Sequence, residues 1–138
     1  MLVYKNLYRE VGNLFYAIAA IDRKISKNEK KMITSLVNYN WKPLENSTDT
    51  FGSDAANIIL FQLDVNEGMD AAAEEKFESF VYFFEENYPE IAPVLREKIL
   101  SSARNIAETT RKINNAEFKI LMKLRYLVVN GHLKGIAE

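Results

Sequence analysis

Apolar residues recur along this chain in steps of three and four, and that period limits the fold more than any other feature. In the first stretch Leu7, Val11, Leu14, Phe15, Ile18 and Ile21 fall on one side of a helix. No alternating apolar–polar pattern of useful length occurs. Only 5 Gly and 3 Pro are present, too few for the many tight turns of a β-sandwich or barrel. The expected fold class is therefore all-α. With 138 residues, 48% of them hydrophobic, the chain can build one core, so residues 1–138 are read as a single domain.

Six helices are expected. The first runs from Tyr4 to Asp22. The second runs from Ser26 to about Asn40, with Met32, Ile33, Leu36 and Val37 inward. Trp41 to Gly52 holds Pro43 and a run of turn formers and reads as a loop. The third helix opens on Ser53 as N-cap and carries Ala56, Ile59, Leu60 and Leu63 inward, with a break over Asp64 to Gly68. The fourth is expected from Asp70 to Asn87, with Phe77, Phe80, Val81 and Phe84 as its inner stripe. Pro89 and Pro93 follow, and a fifth helix reaches Thr110, with Val94, Ile99, Ala103 and Ile106 inward. The sixth runs from Asn114 to Val129 and stops at Gly131.

Charge is uneven along the chain. Residues 1–44 carry +5, residues 45–90 carry −11 and residues 91–138 carry +5, for a net charge of −1. An acidic middle thus lies between two basic ends. No Cys is present, which removes disulfides, thiolate zinc sites and cysteine nucleophiles. A cysteine-free chain suits a reducing compartment, and a cytoplasmic location is expected. The uncharged stretch from Val11 to Ile21 is shorter than the ~20 apolar residues that cross a bilayer. Lys5, Arg9 and Ala17-Ile18-Ala19 give it some likeness to a secretory leader, but a helix accounts for it better.

One segment occurs twice. Residues Ala19 to Glu29 align with Ala107 to Glu117 at an offset of 88 residues, Ile25 on Ile113, sharing Arg-Lys-Ile and the closing Glu. Ser26-x-x-Glu29 is a capping box, and Asn114-x-x-Glu117 is its close relative. Two helical hairpins with an acidic helical insert between them are the expected architecture.

Ala20-Ile21-Asp22-Arg23-Lys24-Ile25-Ser26 and Glu29 resemble the signature of TerB-like domains, the family named for tellurite-resistance proteins. The second copy resembles that family's C-terminal repeat. Arg23 stands where the signature has Gly, and Thr110 where it has Asp. The resemblance implies packed helical hairpins, a stress-associated or membrane-adjacent interaction role and, in some members, a metal site near the Asp.

Several groups of residues carry candidate chemistry. Asp22 and Glu29 are candidate ligands for a divalent cation such as Ca or Mg, although ending a helix and closing a capping box explain them without a metal, and hard cations want six or more oxygens. Asp64, Asn66, Asp70 and Glu75 have a faint calcium-loop spacing, with Met69 where the sharp turn needs Gly; a helix break and an Asp70 cap explain the same residues. Arg23, Lys24, Lys27, Arg111 and Lys112, joined by Lys30, Lys31, Lys119 and Lys123, form a candidate patch for an anion or partner. The alternatives are a solvated face or attraction to the chain's own acidic middle. Phe80-Val81-Tyr82-Phe83-Phe84 is too wide for one helical face. Either that helix is buried on two sides or part of it meets a partner.

His132 is the only histidine. Without Cys, a phosphate-cradling Gly loop, HExxH or Glu-x-x-His pairs, the usual catalytic and di-iron constellations cannot be built. The expected function is a non-enzymatic interaction or scaffold module in a stress or envelope-associated system. A small metal-binding or metal-sensing protein is the alternative, and an enzyme working with carboxylates alone a weaker third. The expected partner is another protein or a second copy. Nucleic acid is not expected of a slightly acidic chain with no reader motif, and a membrane surface only indirectly.

Overall fold

The computed structural model describes residues 2–22, 24–41, 55–110 and 114–135, without the side chains of 109 and 110. Six α-helices follow one another: α1 Tyr4–Ala20, α2 Lys27–Trp41, α3 Ala55–Gly68, α4 Ala73–Asn87, α5 Pro93–Thr110 and α6 Asn115–Asn130. A short 3-10 turn, Tyr88–Glu90, joins α4 to α5. There is no strand among the described residues. The expected Ser53 cap and residues 42–52 of the expected loop lie outside the described residues.

The first helix is the axis of the molecule. From Val11 to Ala19 every residue of α1 is buried. The helix was expected to bury one face; it buries all of them, because that stretch carries no charge that would need water. Helices α3 and α4 pack most extensively on it, with α5 and α6 closing its remaining sides. The uncharged run with a leader-like look is thus the centre of the core.

Gly12 sets the distance between α1 and α3. A Cβ there would stand 2.7 Å from the Ile59 carbonyl oxygen and 2.8 Å from the Gln62 Cβ. The two helices meet almost backbone to backbone at that point. A polar chain runs along the same seam. Asn66, fully buried, donates its side-chain amide to Asn13 Oδ1 (2.8 Å) and accepts from Gln62 Nε2 (2.9 Å). Asn13 in turn donates to Glu10 (3.0 Å), which also accepts from the Ser79 hydroxyl of α4 (2.9 Å). Every link satisfies a group that would be costly to bury alone.

Several helix details differ from expectation. Trp41 ends α2 and is fully buried, edge-on to Tyr8 and Phe15, with its Nε1 donating to Ser102 of α5 (3.0 Å). The neighbouring turn formers masked this anchor in the sequence. Met32 and Val94, expected inward, are exposed at 39% and 72%. The inward face of α2 is Ile33, Val37 and Trp41; that of α5 is Ile99, Ala103, Ile106 and Ala107.

Helix α3 does not break at Asp64 but continues to Gly68. Asp70 lies in the turn that follows and takes a left-handed conformation (φ 53°) where the sequence pointed to an N-cap for α4. α4 starts at Ala73 behind Ala72, which offers no side-chain cap, and Glu74 and Glu75 supply negative charge to its first turn. Gly131 ends α6 in the left-handed conformation (φ 86°), as expected.

The two capped turns share their chemistry. Ser26 Oγ accepts from the Glu29 amide (3.1 Å) while Glu29 accepts from the Ser26 amide (2.9 Å). Asn114 and Glu117 repeat this at 2.8 and 3.1 Å. Their surroundings diverge. α6 packs directly on α5, whereas the backbone of α2 lies against α3 and α5 and scarcely meets α1.

Candidate functional site: a groove between α4 and α6

Helices α4 and α6 both carry apolar faces, yet they do not pack on each other. Between them lies a groove of about 700 Å³. Its floor is Phe77 and Val81 from α4, Ile120 from α6, Ile21 past the end of α1, and Leu133.

Several contacts set the direction of the walls. The end of α1 meets the starts of both α4 and α6. Tyr16 donates its hydroxyl to the Ala71 carbonyl (2.7 Å), and Asn114 donates its side-chain amide to Asp22. At the opposite end Leu133 N–H donates to Glu85 (2.8 Å). α4 and α6 therefore run parallel along the groove.

The walls carry opposite charge. Glu74, Glu78 and Glu85 line the α4 side; Lys119 and Lys123 line the α6 side. Among the described residues, Glu74, Glu78, Lys119 and Lys123 form no ion pair. Tyr82 stands at the α4 rim, 69% exposed. The aromatic run of α4 is thus divided. Phe80 and Phe84 fill the core, Val81 and Phe83 flank it, and Tyr82 projects at the groove.

A second hollow, of about 460 Å³, opens where α1 and α3 end. Tyr16, Lys24, Glu67 and Asp70 line it. Burial, with the Asp70 and Glu67 carboxylates nearby, holds the Tyr16 hydroxyl above the usual tyrosine range. Lys30 reaches both Asp64 (2.6 Å) and Glu67 (2.7 Å), and its two acceptors raise its pKa. The calcium-loop spacing is overturned here. Asp64 and Asn66 lie inside a helix, Asp64 faces an ammonium, and Asn66 belongs to the buried amide chain.

The other candidate residues separate. Asp22 accepts from Asn114, which uses its amide oxygen to cap α6 and its NH₂ to hold the end of α1. Glu29, 8% exposed, closes the first capping box. Among the described residues no group of three or more His, Asp or Glu side chains is placed to hold a metal ion. Lys24 and Lys30 turn to the acidic end of α3, whereas Lys119 and Lys123 face the groove. Lys27 is exposed at the first turn of α2. Arg23, Arg111 and Lys112 lie outside the described residues. His132 is exposed beside the Tyr126 ring. The groove carboxylates Glu74 and Glu78 are exposed rather than converging in a buried cleft.

Protein-family models, curated proteins and solved structures were compared with the chain, and none matches. The groove is marked in the sequence only by carboxylates at 74, 78 and 85 and lysines at 119 and 123, each set on one helical face. What could not be read was that these two faces look at each other. Among the described residues no helix is long and apolar enough to cross a membrane.

Proposed function

We propose that this chain is a non-enzymatic interaction module whose working face is the groove between α4 and α6. The observation that carries the reading is an apolar floor that no described residue covers, between Glu74 and Glu78 on one side and Lys119 and Lys123 on the other, four charges with no ion pair among the described residues. Apolar surface held open beside an otherwise closed core is the usual mark of a contact site. On this reading the two capped turns belong to a pair of helical hairpins with an acidic insert, the TerB-like arrangement, serving as scaffold. The insert contributes α4 and its carboxylate wall; the second hairpin contributes α6 and its lysines. A stress or envelope-associated setting follows from that kinship.

A photo-crosslinking residue placed at position 82 in the intact chain tests the reading in cells. The expected result is a discrete protein adduct that disappears in the Val81→Asp variant while helicity is retained. Absence of any adduct, or one indifferent to Val81→Asp, would overturn the groove as the working face.

A further inference from the structure

The geometry points to a specific occupant: an amphipathic α-helix of a partner protein, with basic residues along one flank of its apolar stripe and acidic residues along the other. This inference rests on the groove being the docking face, and it adds what the groove reads and in which direction.

Shape comes first. From Glu74 to Glu85 the α4 wall covers about 16 Å at 1.5 Å per residue, roughly three helical turns. Two parallel helices with the end of α1 in the floor between them leave the position that one more helix takes in a bundle. The apolar stripe of an amphipathic helix is about 100° wide, which suits a floor of Phe77, Val81 and Ile120 between polar walls.

Charge then narrows the choice. Glu74 and Glu78 are one turn apart on one wall, and Lys119 and Lys123 are one turn apart on the other. These walls would repel a helix flanked by acid on both sides at α4 and one flanked by base on both sides at α6. A helix with one basic and one acidic flank satisfies both.

Turning a helix end for end, with its apolar stripe still on the floor, exchanges its two flanks. The walls therefore fix not only which helix is accepted but which way it lies. Reversing the flank order in the ligand, or the wall charges in the protein, must reverse the docked direction.

Designed 18-residue helical peptides with one leucine stripe are suitable probes, with flanks of Lys and Glu, Glu and Lys, Lys and Lys, or Glu and Glu. Anisotropy titration against the full chain should give both mixed-flank peptides about tenfold tighter binding than either like-flanked peptide, an advantage that shrinks in high salt. A spin label at the peptide N-terminus should broaden resonances near Ala116 for one mixed peptide and near Leu133 for the other. The assignment should invert in the variant carrying Glu74→Lys, Glu78→Lys, Lys119→Glu and Lys123→Glu. Binding that ignores flank charge would overturn this inference and leave the groove as a docking face. If no peptide binds at millimolar concentration, the partner helix is overturned, while the groove stands or falls on the adduct at position 82. A dimer of the chain by sedimentation, abolished by Val81→Asp, would assign the groove to a second copy and overturn the partner helix.

Discussion

The α1–α3 seam and the α4–α6 groove are built from the same material, two helices each offering an apolar face, and they end in opposite states. At the seam Gly12 removes the side chain that would hold the helices apart, and amides on both sides satisfy one another. At the groove Glu74 and Glu78 on one wall and Lys119 and Lys123 on the other form no ion pair among the described residues. Apolar stripes alone do not close an interface. Closure depends on what flanks the stripe: a missing Cβ and pairable amides at the seam, hydrated charges at the groove.

The hardest way to break this contrast is at Gly12. Gly12→Ala should cost about 1–3 kcal/mol in urea unfolding and Gly12→Val more, because the new atoms meet backbone that cannot yield. A neutral Gly12→Ala would mean that the seam is looser than described.

Next is the amide chain. Asn66→Leu leaves Asn13 Oδ1 without its donor in a buried site and should cost about 2 kcal/mol. The double substitution with Asn13→Leu should cost less than the sum of the singles, a coupling readable in a double-mutant cycle.

Tyr16 gives a pH-dependent effect of intermediate size. Its folded pKa is raised above the ordinary 10.0, so its protonated form is favoured in the fold. That contribution is complete below the ordinary value and is lost as pH rises through the folded one. Tyr16→Phe should cost about 1 kcal/mol at neutral pH through the lost bond to Ala71 and should flatten the alkaline fall in stability. An unchanged alkaline limb in pH-dependent melts would remove this role.

The smallest effect is expected at the groove. Glu78→Lys or Lys119→Glu should shift thermal stability by no more than about 0.5 kcal/mol, since neither charge has a partner among the described residues. A large loss would show that the walls hold the fold together, and the contrast with the seam would collapse.

Much of the local structure was legible. Ser26 and Asn114 cap their helices as their spacing with Glu29 and Glu117 requires, and Gly131 ends α6. Such features depend on atoms within four residues of each other. Trp41, Asp70 and Val94 were misplaced for the same reason in reverse. Trp41 is held by Ser102, 61 residues away, and Val94 is left outside although it matches a helical period. Asp70 follows a helix that ran one turn further than its sequence suggested.

Six helices, the capping boxes at Ser26 and Asn114 and the stop at Gly131 are written in the order of residues, because periodicity and capping act over a single turn. That Gly12 faces α3, that Asn13 meets Asn66, and that carboxylates of α4 and lysines of α6 line one groove are matters of packing. These relations join residues dozens of positions apart. They follow from how the helices pack around α1, and no local pattern encodes which faces meet and which are left apart.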